Sequence, residues 1–377
     1  MEVLPSASDN EDEGKLIEIT RDVVKLEDAA AKKKEIEIKR ASRNYNIGVI
    51  ELPTFYMDFE AYNKNRFDYK SSSRDVKKML RELDAANIDG LILDLRGNGG
   101  GFLFEAYSLA KLFIGRGNVV QVMEANGTLQ SLGHNLGQQN YDGPIVILVD
   151  KLSASASEIL AGVIQDYDRG LVIGSQTFGK GTVQRMIELS HGHLKFTEQK
   201  YYRVSGESTQ NKGVEPDITI PLVFNDEEIG ERSYENSLPY NHIDPIFYRS
   251  FNKVENVDLL KTISSNRTNS NEMSIYISSQ QDFYENEKNN NVVPINVEKR
   301  KSMKFAREAK ILLMENTFRK SLNLDPFVTY DEFVNSDPEE ISELREEIVL
   351  QEAAEILVDS LQFSETPSRI SFGIMSQ

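Results

Sequence analysis

The 377-residue sequence contains no cysteine and carries fewer basic than acidic residues. Because there is no thiol, disulfides, thiolate metal sites and cysteine nucleophiles are all excluded. The 43 basic residues are outnumbered by 60 acidic ones, which gives a formal net charge of −17. Nucleic acids and anionic membranes attract clustered Lys and Arg, so this overall charge argues against both as partners.

Long apolar runs are missing as well. No stretch reaches the roughly eighteen apolar residues of a transmembrane helix, and the start does not read as a signal peptide. The residues that are present suit a globular protein, with 39% hydrophobic and 9% aromatic side chains. The length is sufficient for two domains, with a fragment of a third.

The first 220 residues alternate between short apolar runs and helical patterns. The runs predict buried strands at 48–52, 91–95, 145–149 and 171–173, and the helices between them are predicted at 72–86, 103–114 and 154–167. This alternation predicts an α/β core whose largely parallel sheet is covered on both faces. The alternating residues at 183–190 and 193–204 predict a two-stranded β-hairpin extension.

The segments on either side of this core have a different character. Apolar residues at 3–4 and 16–19 flank a polar stretch, which predicts a hairpin, and the charged residues 20–40 are interpreted as a connector. We expect three regions: 1–25 as the last hairpin of a small β-rich domain, 26–222 as the core, and 223–377 as a helical C-terminal domain.

The C-terminal region is predicted to be mainly helical and to form a separate module. Residues 264–292 are rich in Asn and Ser and predict a loose segment, whereas 298–322 predict a basic amphipathic helix. A further helix is predicted from Glu339, because Asp337 suits the N-cap position and Pro338 the first helical position.

The chemistry of the chain is concentrated in a serine cluster and a lysine that follows it. Ser155 lies within SASASE at 153–158, and Lys180 lies 25 residues later within TFGKGTVQ at 177–184. A hydroxyl nucleophile needs a base, and a lysine kept neutral by a dry pocket can serve as one. The pattern alone does not decide which of the three alternating serines would be the nucleophile.

The serine cluster is predicted at the start of a helix, where backbone N–H groups lack intrahelical acceptors. The N–H of Ala156 is therefore a candidate donor to a developing oxyanion. A second donor is expected from the glycine loop 99–101, where missing β-carbons allow close backbone approach.

Three other interpretations fit the residues less well. The stretch 174–180 resembles a P-loop, but Gly181 stands where a magnesium-binding Ser or Thr is required and a strand pattern follows. The glycine run at 97–101 fails the dinucleotide pattern because Phe102 occupies the third glycine position. His191 and His193 favour an exposed turn over a metal pair, since no third ligand is evident.

Together these stretches resemble the tail-specific (C-terminal processing) peptidases. The resemblance is carried by DLRGNGGG at 94–101, SASASEI at 153–159, QDY at 165–167, TFGKGTVQ at 177–184, YRVSG at 202–206 and KGVEPD at 212–217. It extends from about residue 14 into the helical region, where NSLP at 236–239 is similar to the longer, Prc-like members.

The resemblance implies a role for each of a small set of residues. Ser155 would be the nucleophile, Lys180 the general base, Gln184 the residue that orients the lysine, and Gly101 and Ala156 the oxyanion-hole donors. Asp166 matches a position associated with activity in the family, and a structural role in its helix fits it equally well.

The implied fold is a crotonase-like (ClpP/crotonase-type) protease core, preceded in the family by a PDZ domain of which residues 1–25 would be the last hairpin. The implied function is a serine endopeptidase acting near unstructured, apolar C-termini, without metal or organic cofactor. Unfolded or tail-exposed proteins would be its substrates, with an adaptor protein as a further partner, in the bacterial periplasm. Two alternatives remain: a catalytically silent peptide-binding or scaffold homologue, and an acyl-CoA enzyme of the crotonase type.

Overall fold

The computed structural model describes residues 2–3, 15–16, 18, 29–41, 43–133, 139–220, 228–289, 292–336 and 338–365. Strands β1 (Glu2–Val3) and β2 (Lys15–Leu16) pair antiparallel, as the predicted hairpin requires. The rest of that hairpin, including Leu4, Ile17 and Ile19, lies outside the described residues, and so does the predicted N-cap Asp337.

A six-stranded sheet forms the centre of the molecule. Its strands are β3 (Lys32–Lys39), β4 (Asn44–Glu51), β5 (Gly90–Asp94), β8 (Ile145–Val149), β9 (Leu171–Gly174) and β12 (Ile218–Thr219). They are ordered β12-β9-β8-β5-β4-β3, and every neighbouring pair is parallel except β3 and β4. The predicted α/β core with a largely parallel sheet is confirmed.

Strand β3 corrects the prediction that residues 20–40 form only a connector. Within its charged sequence, Ile36 and Ile38 alternate with Lys and Glu, and Ile38 is buried in the core. The charged residues hid this period-two pattern, yet they suit the outermost strand because they discourage pairing with another chain.

One face of the sheet is covered by the predicted helices. These are α2 (Ser72–Ala85), α3 (Leu103–Ile114) and α4 (Ala156–Asp166), preceded by the short α1 (Phe59–Asn63). The apolar stripes of α2, α3 and α4 pack with Leu91, Leu93 and Ile147 in one large cluster of buried side chains. Burial of these stripes holds the start of α4 at the edge where the strands end.

The opposite face is covered by a helix from the far end of the chain. Helix α9 (Pro338–Glu365) places Val349, Ala353 and Leu357 against the sheet residues Ile47 and Ile92 in a second buried cluster. The helical region is therefore not a separate module. It completes the core of the sheet.

Further helices build the C-terminal region around α9. They are α5 (Val257–Asn269), α6 (Glu272–Asn289), α7 (Val297–Ser321) and α8 (Tyr330–Val334). The prediction of a loose segment at 264–292 is wrong, because α5 and α6 occupy most of it. Leu260, Ile277 and Phe283 are buried and stabilise these helices despite the Asn and Ser content.

A second, antiparallel sheet lies beside the core. Its strands β6 (Val120–Glu124), β7 (Leu129–Leu132), β10 (Thr182–Glu188) and β11 (His193–Tyr202) are ordered β10-β11-β6-β7. This confirms the predicted hairpin of β10 and β11. Among the described residues, no helix combines the length and the apolar composition needed to span a bilayer.

Candidate active site

The serine cluster links the end of β8 to the start of α4, and its three hydroxyls have different surroundings. Ser153 Oγ donates to Leu95 O at 2.8 Å, and Ser157 Oγ donates to Asn98 O at 2.8 Å. Both of these serines are fully buried, whereas Ser155 is only partly buried. Of the three, Ser155 has the accessible hydroxyl.

Ser155 is the N-cap of α4 and has an unusual backbone conformation, with φ 57° and ψ −109°. A non-glycine residue with positive φ is uncommon and is strained unless its surroundings fix it. A sharp turn of this kind presents a side chain at the beginning of a helix, beside backbone N–H groups.

The glycine loop 97–101 packs directly against this turn. Asn98 connects the two segments, because its backbone oxygen accepts from Ala154 N at 3.0 Å and its Oδ1 accepts from Gly100 N at 2.9 Å. A Cβ on Gly100 would lie 2.9 Å from Ser155 Cβ and 3.1 Å from Ala156 N. Glycine is therefore required here, where the loop meets the proposed nucleophile.

The two predicted oxyanion donors lie on these adjoining segments. Ala156 is the first residue of α4, so its N–H has no acceptor within the helix. Gly101 follows the contact residue Gly100, with φ 147°, and a Cβ on it would lie 2.2 Å from Phe55 O. The backbone of Gly101 is thus fixed by the residues around Phe55, next to the start of α4.

Lys180 lies in the loop that joins β9 to β10. Its Nζ donates to Gln184 Oε1 at 3.2 Å, and Gln184 is an exposed residue of β10. The structure thus brings the predicted base and its predicted orienting residue together. In the described residues, the hydrogen bond of this Nζ runs to Gln184 rather than to the Ser155 hydroxyl.

The environment of Lys180 lowers the pKa of its ammonium group. Partial burial is the main cause, and the nearby positive charge of Lys195 acts in the same direction. Glu231 and Glu158 oppose the shift. A lowered pKa increases the fraction of neutral amine near pH 7, which is the form that can accept a proton.

Glu158 connects the serine turn to the lysine loop, although sequence reasoning assigned it no role. Its Oε2 accepts from Ser155 N at 2.8 Å and from Lys180 N at 2.9 Å. Its Oε1 accepts from Thr177 Oγ1 at 2.6 Å and from Gly179 N at 2.7 Å. Burial raises the pKa of this carboxyl to about 7, while the four donated bonds act in the opposite direction.

Tyr201 of β11 makes a second connection between the same two segments. Its hydroxyl contacts Lys180 O at 2.5 Å and Ser155 O at 3.2 Å, and it accepts from Thr209 Oγ1 at 2.8 Å. Burial raises the pKa of this phenol well above its ordinary value, so it remains a donor at neutral pH.

A groove of about 750 Å³ runs past this site. The core contributes Gly99, Leu152, Ala154, Phe178, Lys180, Thr182, Gln184 and Thr197 to its lining. The opposite wall comes from residues 231–237, at the start of the C-terminal region. This wall is anchored by the hydrogen bond from Glu231 N to Phe178 O at 3.0 Å and by contact between the rings of Tyr234 and Phe178.

Asp166 is not part of this cluster. It ends α4, whose eleven residues separate it from Ser155 by roughly 16 Å at the helical rise. Its carboxylate receives Arg203 Nη2 at 2.6 Å and Nε at 3.0 Å, and Ser205 Oγ at 3.2 Å. This partly buried, bidentate ion pair supports the structural role.

Glu158 and Glu231 were not predicted from the sequence, but only Glu158 has a local sequence signal. Ser155 and Glu158 have the spacing of a capping box, in which a carboxylate three residues into a helix accepts from the N-cap N–H. Glu231 carries no local signal, because it reaches the site only through the packing of the C-terminal region. His191 and His193 are exposed at the β10–β11 turn, as the sequence indicated.

Sequence comparison identifies two regions of the chain. The model for "Peptidase family S41" matches residues 46–220, and the model for "C-terminal domain of tail specific protease" matches residues 224–362. A tail-specific protease of Haemophilus influenzae is 39% identical over 253 residues, which cover 65% of this chain and 34% of that protein. A carboxyl-terminal-processing protease of Synechocystis is 33% identical over 208 residues, covering 54% and 44% respectively.

The chain therefore spans less than half the length of these two curated relatives. Among solved structures, a photosystem II D1 C-terminal processing protease is 26% identical, with a TM-score of 0.42 over 55% of this chain and 50% of that one. The two matched regions adjoin and together account for the core and the helical region. The chain belongs to peptidase family S41 and carries the C-terminal domain of the tail-specific proteases.

Proposed function

We propose that this chain is a serine endopeptidase in which Ser155 and Lys180 form a catalytic dyad. The observation that carries the proposal is the double connection between the two residues. Glu158 accepts from both of their backbone N–H groups, and Tyr201 contacts both of their carbonyl oxygens, at the edge of an open groove. The lowered pKa of Lys180 favours the neutral amine, the form in which it could serve as the base that a hydroxyl nucleophile needs.

In the proposed reaction, neutral Lys180 accepts the Ser155 hydroxyl proton while Oγ attacks a peptide carbonyl carbon. The tetrahedral oxyanion receives hydrogen bonds from the N–H groups of Gly101 and Ala156. The C–N bond then breaks, and Lys180 returns the proton to the leaving amine. The same lysine then deprotonates a water that attacks the acyl-enzyme ester, and it passes that proton to Ser155 Oγ as the ester C–O bond breaks. Gln184 holds the amine in position through the hydrogen bond at 3.2 Å.

We also propose the substrate class and the setting. Family membership and the open groove support unfolded or tail-exposed proteins cleaved near apolar C-termini, with an adaptor protein as a further partner. The named relatives are bacterial, which supports the cell envelope and its periplasm as the location. We further infer a crotonase-like core, in view of the parallel sheet and of the two proposed oxyanion donors, Ala156 at the start of α4 and Gly101 in the adjoining glycine loop.

We retain the division into 1–25, 26–222 and 223–377 as a proposal. The adjoining family matches at 46–220 and 224–362 support the second boundary. The antiparallel pair of β1 and β2 is compatible with the end of a PDZ domain.

The test is cleavage of an unfolded protein with an apolar tail by the chain and by its Ser155→Ala and Lys180→Ala variants. We expect turnover by the first alone, with unchanged thermal unfolding of the variants. Normal turnover by Lys180→Ala would refute the dyad. A serine-reactive probe that labels the chain but not Ser155→Ala would exclude a catalytically silent binding homologue and an acyl-CoA enzyme, neither of which needs an activated serine.

A further inference from the structure

Residues 292–313, which comprise nearly five turns of α7 and the segment before them, form a surface that is both basic and apolar and has no role in the site described above. Between residues 292 and 313 there are six basic side chains and two acidic ones. The six are Lys299, Arg300, Lys301, Lys304, Arg307 and Lys310, and all are exposed. This local excess of positive charge stands out in a chain whose net charge is −17.

Large apolar side chains are exposed on the same surface. Ile295 is 97% exposed, Phe305 is 74% exposed and Leu313 is 67% exposed. Every residue from 295 to 307 is exposed, so these turns protrude from the molecule on all sides. The described structure places nothing over them, and leaving such side chains in water is unfavourable.

The two most exposed apolar side chains of α7 lie on a different side of the helix from three of these six cations. Phe305 and Leu313, eight residues apart, fall on one side by the helical period, and Arg300, Lys304 and Arg307 fall on another. This arrangement is typical of helices that lie at a bilayer surface, where apolar groups enter the interface and cations contact anionic headgroups.

Three of the six cations pair with carboxylates of the protein itself, and Lys310 Nζ lies 5.0 Å from the centre of the Phe283 ring. Lys301 pairs with the exposed Glu298 at 3.6 Å and Lys304 with the half-buried Glu308 at 3.8 Å, both within the helix. Arg307 pairs with Glu287 of α6 at 3.0 Å. Exposed pairs of this kind contribute little stabilisation and are readily exchanged for other anions.

We propose that residues 292–313 bind the surface of an anionic phospholipid bilayer. A bilayer accepts a convex, fully exposed helix, whereas an acidic protein would need a complementary groove of its own. The net charge of −17 argues against binding of an anionic bilayer by the molecule as a whole, but not by one locally basic surface. At physiological salt, screening limits the repulsion between the acidic surfaces of the protein and the headgroups to about 8–10 Å. A protruding basic helix can therefore contact the bilayer while the acidic surfaces stay beyond that distance.

The test is flotation of the chain with vesicles of phosphatidylglycerol and phosphatidylcholine in equal parts, compared with pure phosphatidylcholine. We expect binding to the first only, and its loss at high salt. Lys299→Gln/Arg300→Gln/Lys301→Gln should weaken binding about a hundredfold, since each cation near such a surface contributes about fivefold. Phe305→Ser should weaken it separately, without the same dependence on salt.

The matched control is Lys32→Gln/Lys33→Gln/Lys34→Gln, which removes three consecutive exposed cations from β3 instead. Circular dichroism and thermal unfolding should show that each variant is folded. Equal loss of binding in both triple variants would show a general charge effect and overturn the proposal. The proposal would also be overturned if the wild-type chain did not bind anionic vesicles. Binding to an acidic polymer without binding to the vesicles would count as this outcome.

Discussion

Replacing Glu158 with Gln tests whether this buried carboxylate holds the serine turn and the lysine loop together. Each carboxylate oxygen accepts two hydrogen bonds, from Ser155 N and Lys180 N on one side and from Thr177 Oγ1 and Gly179 N on the other. An amide has only one acceptor oxygen, so its NH₂ must face two donors. In the less costly orientation, the NH₂ group faces the Thr177 hydroxyl and the Gly179 N–H.

One buried N–H left without an acceptor costs about 1–3 kcal/mol, and the lost hydroxyl bond adds about 1 kcal/mol. We therefore expect Glu158→Gln to lower the free energy of unfolding by about 2–4 kcal/mol at pH 8, measured by denaturant titration. Turnover per folded molecule should also fall, because the positions of Ser155 and Lys180 depend on the same carboxylate.

Glu105→Gln is the matched control, because Glu105 is equally buried but lies outside the groove. Its Oε2 accepts from Ser72 Oγ at 2.9 Å and Ser73 N at 2.7 Å, whereas no donor reaches its Oε1 in the described structure. The amide NH₂ can occupy the Oε1 position without facing a donor. We expect a smaller loss of stability than for Glu158→Gln, because no existing donor loses its acceptor, and we expect unaltered turnover.

The pH dependence gives a second measure of the same group. The pKa of Glu158 is raised from 4.5 to about 7 in the folded protein. Its stabilisation is therefore fully present below pH 4.5 and is lost as the pH rises through about 7, a difference of about 3 kcal/mol. Since all other groups titrate alike in both proteins, the stability gap between wild type and Glu158→Gln should narrow by that amount as the pH rises. A constant gap, or stability and turnover equal to wild type, would refute this reasoning.

The remaining predictions concern the base, the ion pair at the end of α4 and the helix behind the sheet. The Lys195 charge lowers the pKa of Lys180 and the Glu231 charge raises it. Lys195→Gln should therefore move the acid limb of the pH profile of kcat/KM to higher pH, and Glu231→Gln should move it to lower pH. Shifts of both variants in the same direction would contradict this. Asp166→Asn should lower the free energy of unfolding by about 1–3 kcal/mol, because the partly buried Arg203 loses its charge partner, and active-site labelling should be unchanged in the folded fraction. Leu357→Ala should cost about 2–5 kcal/mol in denaturant unfolding, since this side chain is fully buried against the sheet.

The sequence predicted helices and strands well wherever the apolar residues followed a single helical or strand pattern. The helix at 103–114 and the strand at 145–149 were predicted with the bounds that the structure shows. Strand β3 was missed because Lys and Glu dominate its sequence, and α5 and α6 were missed because tertiary burial outweighs the low helix propensity of Asn and Ser. The sheet was predicted to be covered on both faces, but the identity of the second covering helix depends on contacts between distant residues.

The proposed site shows the same division between local and distant information. The motif around Ser155, Lys180 and Gln184 could be read from the chain, and in the structure Lys180 and Gln184 line one groove together with Ala154, the neighbour of Ser155. The positions of Tyr201 and Glu231 depend on the second sheet and on the C-terminal region. No local pattern could have predicted those contacts.

Helix α9 has a consequence for the order in which the protein can be made. The strand β5 that it covers is synthesised more than two hundred residues earlier, and Arg96, at the start of the glycine loop, donates to Glu346 O of α9 at 3.1 Å. A nascent chain that has emerged only as far as α8 still exposes the apolar face of its sheet. Such long-range closure makes folding slow. The sheet that carries the serine turn is therefore covered on both faces only when synthesis has passed α9, so the proposed site residues are made long before the fold that supports them is complete.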